Sequence, residues 1–173
     1  MKKYINRDSI LKGFKSETGK KNRTDKVKKF AVGKIQELQG VQYQFITNEG
    51  QTIADGKPVI FNTLILNNSA IYYDEINGEF TLPENGLYFV DWSLSTCGAN
   101  PSTYVSFGIE VIGGAITEQS VKLPICELGG HMLVNVTSAP QNIRLINTTG
   151  EDIRINNTCV QANIIIVHLA TSQ

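Results

Sequence analysis

The sequence is short of the residues on which most enzyme and metal chemistry depends. Its 173 residues include two histidines, three cysteines and one tryptophan. With only His131 and His168, and neither at short spacing from a second ligand, the clustered imidazoles of a transition-metal site cannot be assembled. His168 falls on the same strand face as Ile164 and Ile166 and reads as a satisfied strand-end side chain. Cys97, Cys126 and Cys159, spaced by 29 and 33 positions, match no common zinc pattern and cannot form a complete intrachain framework. They read as buried thiols, and Cys97 has no basic neighbour to activate it. There is no Gly-x-Ser-x-Gly elbow for a nucleophilic serine. Gly13 to Gly19-Lys20 and Gly50 to Gly56-Lys57 miss the phosphate-loop spacing by one residue and lack its hydroxyl, having Lys21 and Pro58 instead. Asp74-Glu75 and Glu151-Asp152 are adjacent acids in turns, which face water rather than a shared calcium ion. These absences predict a protein that is not an enzyme and carries neither cofactor nor metal.

No apolar run approaches the roughly 18 residues of a membrane span. The opening MKKYINRDSILKGFKSETGKK has no apolar core and no small-residue cleavage site, so classical secretion is not expected. The charge is zero overall, but not locally. Residues 1 to 36 hold twelve of the 16 Lys and Arg against Asp8, Glu17 and Asp25, a net of +9, which leaves −9 for residues 37 to 173. That asymmetry separates a basic arm, residues 1–40, from an acidic body, residues 41–173. The arm is poor in large apolar residues around Gly13–Arg23 and is expected to be mobile there. A short helix is expected after it, capped by Thr24, striped by Val27, Phe30, Ala31, Ile35 and Leu38, and ended by Gly40. Nucleic acid is not the expected partner, because only Tyr4, Phe14 and Phe30 could stack on bases. The arm is expected to be a tether, or to dock on an acidic surface such as another copy's body or a spore-layer protein.

From Val41 the period changes to two. Val41, Tyr43 and Phe45 alternate with Gln42 and Gln44. Short apolar runs then recur between turn signals: PVIF, TLIL, AIYY, EFTL, GLYFVDWSLS, YVSFGIEVI, MLVNV, NIRLI, DIRI and NIIIVHLA. Gly50, Asp55-Gly56, Asn67-Asn68, Asn77-Gly78, Asn85-Gly86, Gly113-Gly114, Gly129-Gly130 and Gly150 supply the predicted turns. The pattern predicts an all-β sandwich or barrel. Tyr88, Val90, Trp92 and Leu94 share the face predicted to be core, with Leu87, Phe89, Asp91 and Ser93 opposite. Val105, Phe107, Ile109 and Val111 alternate with Ser106, Gly108 and Glu110, whose side should be wet. Ile164 to Val167 has no polar face, so both its sides need cover, one from the second sheet and the other from a neighbouring subunit.

Asn68, Tyr73, Phe80, Gly86 and Tyr88 fall at successive intervals of five, seven, six and two. In that spacing the chain resembles the head domain of the C1q and tumour-necrosis-factor (TNF) superfamily, and especially the bacterial heads of collagen-like exosporium glycoproteins. Val90 and Trp92 stand where the pattern has Phe and a closing aromatic, and the opening Phe would be at Asn62, with Phe61 adjacent. The closing segments around Arg144, Asp152–Ile155 and Ala162–Leu169 are also similar to those heads. The resemblance covers residues 41 to 171 and implies a ten-stranded jelly roll that assembles as a tight homotrimer. It places the last strand, Ile164, Ile165, Ile166, Val167 and Leu169, near the interface. Asn68, Tyr73, Phe80, Gly86, Tyr88, Val90 and Trp92 become its motif core. Those heads follow a collagen stalk, and this chain has no Gly-x-y repeat, so a triple-helical stalk is not expected. The implied function is a structural or interaction protein on a bacterial spore (exosporium) or cell surface, a cytoplasmic location remaining open. The alternative is a carbohydrate- or receptor-binding tip of an adhesin or phage fibre. The Asn-x-Ser/Thr sequons at Asn67, Asn135, Asn147 and Asn156 matter only if the host glycosylates.

Overall fold

The computed structural model describes residues 38–47, 49–96, 104–122, 127–155 and 160–171. The chain divides into Met1–Ile35 and Gln36–Gln173. The body of the expected helix after Thr24, the mobile arm and all three cysteines lie outside the described residues, but the helix's expected end at Gly40 does not hold: Gln39 and Gly40 are already extended and paired with His168 and Val167.

Alternating residues become strands of two five-stranded antiparallel sheets. The first has the order β3 (Thr63–Asn67), β1 (Gln39–Phe45), β12 (Ala162–Thr171), β6 (Gly86–Ser95), β9 (Glu127–Val136). The second has the order β4 (Tyr72–Asp74), β5 (Glu79–Leu82), β10 (Gln141–Asn147), β7 (Tyr104–Val111), β8 (Ile116–Lys122). A two-residue pair, β2 (Thr52–Ile53) with β11 (Ile153–Arg154), stands apart. The ten strands of the two main sheets are the expected jelly-roll sandwich, and their inward side chains meet in one core.

That core is set by strand parity. Tyr88, Val90, Trp92 and Leu94 are buried, as the alternation predicts, while Leu87, Phe89, Asp91 and Ser93 point away. Phe80 packs face to face on Tyr73 at 4.4 Å and edge-on to Phe61 at 5.9 Å and Tyr43 at 5.7 Å. Aromatic pairs in these geometries add about 0.5–1.5 kcal/mol each beyond their burial. The Tyr73 hydroxyl accepts the Phe61 backbone N–H at 2.7 Å inside this cluster, so the ring also satisfies a buried donor. Burial is the main reason its phenol is pushed up from its ordinary pKa, the negative charge of Glu75 adding to it. Tyr73→Phe keeps the ring and orphans that N–H; the expected cost is about 1–3 kcal/mol in a denaturant melt.

Asn147, fully buried at the end of β10, is the second polar fastener. Its amide donates to the Ile53 carbonyl at 2.9 Å and to the Glu151 carbonyl at 2.7 Å, and its Oδ1 accepts the Thr149 N–H at 3.0 Å. It thereby ties β2 to the turn that leads into β11. The sequon it heads is accordingly closed to a glycan.

Several expectations change. Pro58–Phe61 is no strand: Val59 N–H bonds to Leu145, Phe61 N–H turns to Tyr73, and Asn62 N–H reaches Gln44, so the segment crosses between sheets. Val59 and Phe61 are nonetheless core. Gly129 and Gly130 lie inside β9 rather than at a turn. A Cβ on Gly130 would meet Trp92 Cζ2 at 2.9 Å, so this glycine makes room for the indole. The far side of β7 is only partly wet. Ser106 is buried because its hydroxyl meets those of Ser120 at 3.0 Å and Thr148 at 2.9 Å. β8 carries no apolar face, and nothing in its sequence distinguished it from a loop.

Candidate subunit interface

The register across the first sheet arranges its outer face in bands. Gly40 pairs with Val167, Val167 with Phe89, and Phe89 with Leu133, which aligns three large apolar side chains across β12, β6 and β9. Leu87 and Leu169 extend this band toward one end. The next row, Leu66, Gln42, Ile165, Asp91 and His131, is mixed. Beyond it Thr63, Gln44, Asn163, Ser93 and Gly129 form a polar row. In these rows the amides of Gln42 and Gln44 both donate to Asn163 Oδ1, at 2.8 and 3.4 Å.

Exposure follows the bands. Leu133 is 57% exposed, Leu169 45% and Leu66 54%, while Val167, Ile165, Phe89 and Leu87 are half-buried by their neighbours. A cavity of about 180 Å³ opens among Leu38, Val41, Leu66, Ile165 and Val167, deep enough for an apolar side chain. A contiguous apolar surface of this kind is rare on a protein that works alone. The outer face of the second sheet is different in kind. There Arg144 bridges Glu110 at 2.5 Å and Glu79 at 3.8 Å, and Asn142 donates to Glu79 at 3.0 Å. Such a half-exposed ion network is at home in water and contributes little to stability.

The residues singled out by the sequence divide between roles. Ile164 and Ile166 point into the core and are at most 1% exposed, so only Ile165, Val167 and Leu169 of that run stand on the open face. Parity along one strand separates the two sets, but without the register of its neighbours it does not say which set faces out. Phe89, Leu133 and Leu66 join the band without having been singled out. Of the motif residues, Tyr73, Phe80, Tyr88, Val90 and Trp92 are core. Asn68 is exposed and works as a bracket: Oδ1 accepts the Gly40 N–H at 2.9 Å and Nδ2 donates to the Leu38 carbonyl at 3.0 Å, holding the start of β1 beside the band.

Gly86 opens β6 at φ +151°, and a Cβ there would lie 2.6 Å from His168 Nε2. The vacancy lets His168 lie flat on Tyr88, ring centres 4.4 Å apart, with Nε2–H donating to the Ala170 carbonyl at 3.1 Å. The Tyr88 hydroxyl donates to the Glu84 carbonyl at 3.0 Å, and burial raises its pKa. His168 is therefore a packed structural residue. Among the described residues no group of three or more His, Cys, Asp or Glu side chains could hold a metal ion, and no helix is long and apolar enough to cross a membrane.

No family model and no curated protein matches the sequence. Solved structures do match the fold. The TNF protein Eiger from S. frugiperda aligns with a TM-score of 0.57 at 11% identity, covering 79% of this chain and 95% of that one. Murine APRIL aligns with a TM-score of 0.56 at 7% identity, covering 77% of this chain and all of the other. Identities this low speak to architecture alone. The chain has the TNF-like jelly-roll fold.

Proposed function

We propose that this protein is a non-enzymatic homotrimeric head, displayed on a bacterial spore surface (exosporium) or cell surface, that acts through assembly and through the interactions of its exposed loops. The observation that carries the reading is the apolar band of Val167, Phe89, Leu133 and Leu169 on the outer face of the first sheet. Burying each such side chain against a second copy would be worth about 1.5–3 kcal/mol before the costs of association. The copy number of three and the spore setting rest on the sequence resemblance to C1q- and TNF-like bacterial heads.

Sedimentation equilibrium of the full chain tests the assembly. The expected mass is three times the 19.1 kDa of one chain, and a single-chain mass at high concentration would end the proposal. Immunogold labelling of sporulating cells tests the location, with label expected on the outermost spore layer and cytoplasmic label alone counting against it.

A further inference from the structure

A second surface feature lies away from the apolar band, where the edge of the first sheet meets β4. There Tyr43, Asn67, Ile71, Tyr72, Tyr73, Asp74, Glu75 and Ile76 line an open cleft of about 400 Å³. Tyr43, half-buried, and Tyr72, 65% exposed, give the cleft its accessible rings; Tyr73, 5% exposed and stacked on Phe80, lies beneath them, its ring centre 4.7 Å from that of Tyr43. The lining contains two carboxylates and no Lys, Arg or His.

Asp74 and Asn67 spend hydrogen bonds on their own turns. Asp74 closes its own turn, accepting the Ile76 N–H at 2.9 Å and the Asn77 side-chain amide at 2.7 Å. That amide holds the Asp74 carboxyl below its usual range. Asn67 Oδ1 accepts the N–H and hydroxyl of Ser69, at 2.9 and 3.1 Å. Glu75 remains, exposed and, among the described residues, in no ion pair. Its charge is felt at the rings: after burial, it is the next cause raising the Tyr43 pKa, and it also raises that of Tyr73. A field that disfavours phenolate favours a cation in the same place.

We propose that this cleft binds a quaternary ammonium group, its methyls against the tyrosine rings and its charge balanced by Glu75. Ring faces attract cations through their quadrupole, most effectively when the cation is weakly hydrated. A primary ammonium is compact and strongly hydrated, and must place three N–H donors again as it sheds that water. A trimethylammonium has no donors to satisfy.

The test is a titration of the full chain, followed by NMR, with choline, with its neutral isostere 3,3-dimethylbutan-1-ol, and with N-acetyl-lysine methylamide. Choline is expected to saturate, to shift tyrosine ring signals, and to bind at least about tenfold more tightly than the neutral alcohol. The lysine derivative should bind more weakly than choline. Glu75→Gln, in an exposed turn, should weaken choline binding about threefold to tenfold, and Tyr72→Ala about twofold to fivefold. The proposal is overturned if choline does not bind, if the neutral alcohol binds as well, or if Glu75→Gln changes nothing. Saturation by neutral sugars in place of choline would reassign the cleft to carbohydrate. Sedimentation of the same samples reads the assembly separately, so either result can fail alone.

Discussion

Val167→Glu is expected to convert the proposed trimer, three times the 19.1 kDa of one chain, into a single folded protomer. Val167 lies between Gly40 and Phe89 in the apolar row, on the face away from the core. In the free protomer the new carboxylate would reach water at little cost. In the assembly it would be pressed against apolar side chains of a second copy; the described Lys and Arg are Lys57, Lys122, Arg144 and Arg154, none of them in the row of Val167. Burying an unpaired carboxylate costs several kcal/mol, enough to cancel the contribution of more than one buried side chain. Light scattering reads the mass and circular dichroism checks the fold. Ile166→Glu is the control, since Ile166 is wholly buried and a charge there should unfold the protomer rather than release it. If Val167→Glu keeps the wild-type mass, the band is not the interface.

Gly86→Ala should produce the largest stability loss of any single methyl addition to the first sheet. The added Cβ would sit 2.2 Å from the Ala170 carbonyl oxygen and 2.6 Å from His168 Nε2, on a backbone at φ +151° that side chains rarely adopt. The carbonyl belongs to β12 and cannot rotate aside, so either the end of β12 moves or His168 leaves Tyr88. Both outcomes break a packed contact beneath the band. The expected cost is about 3 kcal/mol or more, which for a chain of this size lowers the melting temperature by about 10 °C. A Gly86→Ala protein melting within about 2 °C of wild type would show that β12 yields there.

How much of this was legible in the sequence depends on what each residue reports. Parity is local, so the buried faces of β6 and β7 could be read directly from Tyr88–Leu94 and Val105–Ile109. The all-β architecture followed from the same signal; the motif spacing came from the family resemblance. Pairing is not local. The run Ile164–Val167 announced that both sides need cover, yet only its registers with β1 and β6 show that Ile165 and Val167 face out beside Phe89 and Leu133. β8 was invisible because Thr117, Glu118, Gln119 and Ser120 are all exposed and display no hydrophobic period. Pro58–Phe61 misled in the opposite sense: its apolar residues are core, but its backbone donors are split among β10, Tyr73 and β1. The tyrosine cleft was hidden for a third reason. Tyr43 and Tyr73 are thirty positions apart and meet only when the two sheets close.

β3 carries a liability of its own. It is the outermost strand of its sheet, its residues Leu64, Ile65 and Leu66 are exposed, and no charged residue occurs between Lys57 and Asp74. Natural sheets blunt such margins with lysine or proline, and here neither is present within the strand. Among the described strands nothing pairs with its outer edge, which can recruit an extended segment from a passing chain, so protein held at high concentration should drift toward fibrillar precipitate. A lysine in place of Ile65 would be the simplest safeguard for anyone storing or crystallising this molecule.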